Sequence, residues 1–147
     1  MSNYSHILVA IDFSSSAEQI INKALETAER NHAKLSILHV VEYLPPIDSA
    51  YEPILATNWE IDESLLLEQA KTSLQQFAQK HKLDNPSLHA VIGSPKHEIS
   101  AFISSQQCDL VILGSHGRHG ISLLLGSTAN AVLHDMPCDI LAVKIAE

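Results

Sequence analysis

Five short apolar runs alternate with helical segments along the 147 residues, and this alternation reads as an α/β domain. The architecture expected is a five-stranded parallel doubly wound sheet, strand order 3-2-1-4-5, with helices on both faces. Two further observations agree. Most of the runs are continuously apolar, as strands covered on both faces must be. Proline, glycine and capping residues fall between the runs, where the chain changes from one period to another. A chain of this length, 46% hydrophobic and 18% charged, is expected to form a single domain over 1–147 with a full core.

Ile7-Leu-Val-Ala-Ile11 is the first strand, closed by the helix-capping stretch Asp12-Phe-Ser-Ser-Ser16. Ala17, Ile20, Ile21, Ala24, Leu25 and Ala28 then recur at helical spacing and form one apolar face. Leu35–Val41 is the second strand. From Tyr43 to Asn58, Pro45, Pro46 and Pro53 interrupt a stretch without periodicity, which reads as a long loop. Leu66, Ala70, Leu74, Phe77 and His81 mark a second helix, closed by Asn85-Pro86, and Leu88–Ile92 is the third strand. Ser94-Pro95 has the form of an N-cap followed by proline at the first helical position, leading to Ile99, Phe102 and Ile103. Asp109–Leu113 is the fourth strand, Ala129, Val132 and Leu133 lie on a last helix ended by Pro137, and Asp139–Ile145 is the fifth strand.

Four of the five glycines, Gly114, Gly117, Gly120 and Gly126, crowd into the segment that follows the fourth strand. Clustered glycine after a strand marks close approach of bare backbone, most often to a phosphate held by N–H groups and a helix N-terminus. The other reading is a surface loop in which glycine only relieves strain. Interleaved Ser115, His116, Arg118, His119 and Ser127 are all hydrogen-bond donors, which favours an anion. Arg118 suits a phosphate or a solvated loop tip. His116 and His119 stand at i, i+3, a metal-ligand spacing only if that segment were helical; between glycines a phosphate or solvent role fits them better, and no metal site is expected. With strand order 3-2-1-4-5 the reversal of direction falls between the first and fourth strands, where such sheets bind ligands beyond the strands' carboxyl ends. Asp12 and the glycine segment, about 100 residues apart, then meet in one crevice. Asp12 caps the first helix, or it touches a ribose hydroxyl or a Mg2+ ion.

Several classes are set aside. No Gly-Lys-Ser/Thr occurs, so the loop is not a Walker A motif, and the glycines follow the wrong strand for a dinucleotide fingerprint. A phosphoaccepting receiver needs an acidic cluster and a lysine after the last strand, whereas Lys144 reads as part of that strand. A net charge of −8 and a pI near 5.5 argue against a nucleic-acid partner. No apolar run reaches membrane-spanning length, and the N-terminus lacks a signal-peptide pattern, so a cytoplasmic protein is expected. Cys108 and Cys138 read as small core hydrophobes ahead of a metal or redox role.

The opening Tyr4–Ser14, the strand Leu38-His-Val-Val41, the segment Gly114-Ser-His-Gly117-Arg-His-Gly120 with Gly126-Ser-Thr128, and the ending Cys138–Val143 together resemble the universal stress protein family over essentially the full length. The resemblance implies the same doubly wound sheet, a dimer and, in the glycine-bearing branch, an adenine nucleotide (ATP, ADP or AMP). Carried over, Gly114 and Gly117 line ribose and phosphates, while Gly126, Ser127 and Thr128 bind phosphate at a helix start. Ala10 and Asp12 border ribose and adenine, and Val40 offers its backbone to the adenine edge. The family pattern Gly-x2-Gly-x9-Gly-Ser/Thr is one residue short here, since eight residues separate Gly117 from Gly126. The Ile121–Leu125 segment can absorb that shortening.

Three functional readings follow. A nucleotide-binding stress-response regulator with little or no turnover is favoured, because beyond Asp12 and Glu42 the crevice offers no obvious carboxylate and the loop carries no lysine. A slow ATPase or phosphotransfer enzyme and a scaffold without ligand are the alternatives. The last strand, Ile140–Ile145, is an apolar edge that invites pairing with a second copy, so a homodimer is expected.

Overall fold

The computed structural model describes residues 3–13, 17–41, 53–83, 87–114 and 137–144, with only the backbone described over 53–62. In chain order these form β1 (His6–Ala10), α1 (Ala17–Asn31), β2 (Lys34–Val41), α2 (Pro53–Lys80), β3 (Ser87–Ile92), α3 (Pro95–Gln106), β4 (Leu110–Gly114) and β5 (Asp139–Val143). The sheet has order β3-β2-β1-β4-β5 and all four pairings are parallel. Both features match the sequence reading.

Successive strand residues feed opposite faces. Ile7, Val9, Ile11, Ile37, Leu110 and Ile112 pack with Ile20, Ile21 and Ala24 of α1 and Leu74 of α2. Leu8, Ala10, Leu38, Val40, Val111 and Leu113 pack with Ile99 and Ile103 of α3. Helices therefore cover both faces, which is why the strands read as unbroken apolar runs.

Two differences from the sequence reading bear on the argument. Residues 53–58, read as the end of a loop, are already helical, because α2 starts at Pro53. A proline at the first helical position forfeits no hydrogen bond, so there it opens a helix rather than breaking one. The fifth strand stops at Val143, leaving Lys144 just beyond it instead of inside it. That removes the lysine argument against a receiver domain; among the described residues no group of three His, Cys, Asp or Glu is placed to hold a metal ion. The helix expected through Ala129, Val132 and Leu133 lies outside the described residues.

The amino end of the sheet is closed by the chain's own polar groups. The Asp109 carboxylate accepts from the Ser5 amide (2.8 Å), the Ser5 hydroxyl (3.1 Å) and the His6 amide (3.1 Å), tying the start of β1 to the start of β4. Burial alone would raise this carboxyl's pKa; the Ser5 and His6 donors outweigh it and hold it below the usual value. His6 Nδ1 lies 3.1 Å from the Gln106 carbonyl, which can only accept, so the proton sits on Nδ1. Nε2 then accepts from the hydroxyl of Ser36, a side chain 1% exposed, at 2.7 Å. A polar group buried between β1 and β2 is thereby satisfied.

Candidate functional site

The reversal of strand order lies between β1 and β4. Their pairing runs from Ile7–Leu110 to Val9–Ile112, after which the two strands part. Ala10 ends β1 at 1% exposure, Asp12 follows two residues later and is half-buried, and Gly114 ends β4, buried and opposite Val143 of β5. Asp12 and Gly114 thus leave the sheet at its carboxyl end, on the two sides of the switch point. Val40 is buried near the end of β2, one strand away, and pairs with Val91. Of the residues expected to form a site, Ala10, Asp12, Val40 and Gly114 are described. His116, Gly117, Arg118, Gly126, Ser127 and Thr128 lie outside the described residues.

The backbone around Asp12 is held from β2. The Ile11 amide donates to the Leu38 carbonyl at 3.1 Å, one step past the last β1–β2 register pair, Ala10–Leu38. The Ile11 carbonyl accepts from His39 Nδ1 at 2.8 Å. Phe13 then takes a left-handed φ of 63°, and its ring centroid lies 4.4 Å from that of His39 and 6.3 Å from that of Phe77. A left-handed aromatic residue is uncommon and carries a backbone cost of about 1–3 kcal/mol. Burial pulls the His39 imidazole below its ordinary pKa, and the Ile11 carbonyl and the Asp12 charge offset only part of that fall. His39 is therefore neutral, with its proton on Nδ1. The sequence reading placed His39 inside the second strand, and it lies in β2. What it missed is that this ring and Phe13 flank Asp12, because the contacts join residues 26 and 28 positions apart.

A third strand end meets the same side of the sheet. Gly93 follows β3 with φ 156°, and its amide donates to the Val41 carbonyl at 3.0 Å. A Cβ there would stand 2.6 Å from Glu98 Oε1. A separate cavity of about 300 Å3 between α2, β3 and α3 is lined by Leu74, Leu88, Ala90 and Phe102. It belongs to the β3 edge of the sheet and includes none of the site residues.

Chemically, the end of β1 and Gly114 present backbone and a bare Cα, while Asp12 presents an anionic acceptor. Such a set accepts hydroxyl donors at Asp12 and tolerates close approach at Gly114.

Comparison with known proteins follows this geometry. The universal stress protein family model matches residues 3–144. Universal stress protein A homolog 2 of Coxiella burnetii is 39% identical over 146 residues, covering 99% of this chain and 98% of its own length. The structure of universal stress protein UspA from Lactobacillus plantarum superposes with a TM-score of 0.65 at 26% identity, over 97% of this chain and 99% of that one. A universal stress protein crystallised in complex with cAMP has a TM-score of 0.59 at 24% identity, over 97% and 98% of the two chains, a likeness of fold.

Proposed function

The chain belongs to the universal stress protein family, and from that premise we propose that it is an adenine-nucleotide-binding regulator with little or no turnover. The observation that carries this reading is the meeting of Asp12 and Gly114 at the β1/β4 switch point, where doubly wound sheets take their ligands. Sign of charge assigns the parts. An anionic Asp12 repels phosphate and attracts ribose hydroxyls, so the phosphates go to the glycine segment, with Arg118 and His116 among its donors. Gly117, Gly126, Ser127 and Thr128 hold phosphate by backbone and hydroxyl, Ala10 and Val40 border the base, and Asp12 would hold a Mg2+ ion, which would supply charge neutralisation for the phosphates. The cAMP held by one solved relative is itself an adenine nucleotide and supports that ligand class.

Thermal melts with ATP, ADP and AMP test the reading. Ligand at 100 times its dissociation constant stabilises the native state by about 2.7 kcal/mol. No shift at millimolar nucleotide, with no nucleotide already bound by intact-mass spectrometry, would overturn it. Phosphate release with ATP and Mg2+ well below about 1 per second fits a regulator, and sustained faster release abolished by Asp12→Asn fits an enzyme.

The same reading includes a homodimer through β5. Both β3 and β5 are edges of the sheet, and β5 carries Ile140, Leu141 and Val143 with Ala142 exposed. Pairing with a two-fold copy satisfies its outer N–H and C=O groups. Val143→Pro disrupts that strand and favours monomer, and light scattering that finds the parent monomeric at micromolar concentration removes the dimer.

A further inference from the structure

We infer that Cys108 and Cys138 are an oxidisable dithiol, a modification site at the amino end of the sheet that a small-molecule disulfide closes into an intrachain disulfide. The inference stands apart from the nucleotide-binding reading. Both cysteines are free thiols at the feet of neighbouring strands, Cys108 two residues before β4 and Cys138 one residue before β5. Leu110 pairs with Asp139, so the same register one step back sets Cys138 beside Asp109, one residue from Cys108. A strand spacing of about 4.8 Å and a rise of about 3.3 Å per residue then put the two Cα atoms about 6 Å apart, a span that a disulfide bridges. Both side chains also share a face, packing in the core on the α3 side with Ile103, Val111 and Ile140. The end of α3 turns Cys108 onto that face: its amide donates to the Ile103 carbonyl at 3.0 Å, and its sulfur lies 3.7 Å from His6 Nδ1. The Val111 backbone N–H of β4 reaches the Cys138 sulfur and draws it toward the strand that Cys108 precedes. Access sets the order of events, since Cys138 is half-buried and Cys108 is 6% exposed. The Cys138 thiol loses its proton and attacks one sulfur of the small disulfide, whose S–S bond breaks and releases one thiol. Cys108 then loses its proton and attacks the Cys138 sulfur, releasing the second. Two protein thiols are oxidised and one small disulfide is reduced to two thiols.

Incubation of the reduced, full-length protein with excess oxidised glutathione tests this. The expected product is a single chain lighter by two hydrogens, resistant to alkylation, with the Cys108 and Cys138 peptides joined. Burial pushes the thiols up to about 11 for Cys108 and about 12 for Cys138. The rate of closure therefore climbs about tenfold per pH unit from about pH 7 to 9, where an exposed thiol of pKa about 8.5 would level off. The link closes the stretch 108–138, which carries every glycine except Gly93, and so restricts the unfolded chain. The melting temperature of the oxidised protein is expected to rise by roughly 5–10 °C. Cys108→Ser stops at one glutathione adduct on Cys138, whereas Cys138→Ser stays unmodified because the buried Cys108 is not reached. Disulfide-linked dimers on a non-reducing gel, a parent adduct that never closes, or an oxidised chain that melts below the reduced one overturns the inference. So does modification of Cys138→Ser at the parent's rate, or a folded protein that stays reduced at about pH 9 while the denatured chain oxidises.

Discussion

The two ends of the sheet turn the chain by different means. At the amino end, three helices hand over to strands through the same closure. The amides of Ala33, Leu83 and Cys108 reach back to the carbonyls of Ala28, Ala78 and Ile103 at 2.9–3.0 Å, with His32, Lys82 and Gln107 in left-handed conformation at φ 53–55°. This is the Schellman turn, usually made with glycine. None of the three positions is glycine. At the carboxyl end, by contrast, stand the two described glycines, Gly93 directly after β3 and Gly114 closing β4; the other three glycines of the chain, Gly117, Gly120 and Gly126, follow Gly114 in sequence and lie outside the described residues. Where the backbone only has to turn, ordinary residues accept a left-handed φ at about 1–2 kcal/mol each. The carboxyl end has one such residue, Phe13 at φ 63°, alongside its described glycines. That division separates the end that holds the fold together from the end proposed to bind.

The strongest challenge to this division is Gly117→Val. If the glycine segment receives phosphate, the added side chain lowers adenine-nucleotide affinity at least about 100-fold, or about 2.7 kcal/mol, while the melting temperature without ligand stays close to the parent's. Equal losses of affinity and stability would mean that the carboxyl end is structural too.

Asp109→Ala is the mirror experiment at the amino end. It strands the Ser5 and His6 donors and is expected to lower stability by about 1–2 kcal/mol in chemical denaturation, leaving nucleotide affinity unchanged. A change in affinity would show that the two ends communicate. A smaller effect of opposite sign is expected from Gln107→Gly, which relieves a left-handed exposed residue and raises stability by up to about 1 kcal/mol.

The smallest effect is a pH drift. Burial lowers the pKa of His39 and of His89, in the latter case with help from Lys34 and His6. Unfolded, both imidazoles take up a proton near 6.5; folded, they stay neutral to lower pH. The unfolded chain therefore binds more protons in that window, and stability falls as pH drops from 7 through 6.5 and below. His39→Asn combined with His89→Gln flattens the denaturation midpoint over that range. Asp109 acts lower still: its depressed pKa contributes stability above 3.8 that is lost as pH falls through the folded value.

Much of this organisation is local, and local features are legible in the residues. Ile7–Ile11, Leu35–Val41 and Asp109–Leu113 could be read as buried strands because a strand covered on both faces leaves no polar alternation. The face of α1 was legible because Ala17, Ile20, Ile21 and Ala24 share a helical period, and all four are buried. Asp12 and the glycine segment stood out by composition alone. Residues 53–58 were misread because proline opens helices as readily as it ends them, and their apolar residues carry no clear period.

Tertiary structure decided everything that depends on partners distant along the chain. Strand order brought Asp12 and Gly114 to one switch point, and register set Ser36 against His6 and the Ile11 carbonyl against His39. The physical reason is range. Propensity and periodicity act over a few neighbouring residues, whereas a hydrogen bond between residues 28 or 30 apart exists only once the ladder has chosen which side chains stand side by side. The sequence by itself determined which segments become strands and helices and which loop carries the glycines; the packed sheet decided which of their side chains meet.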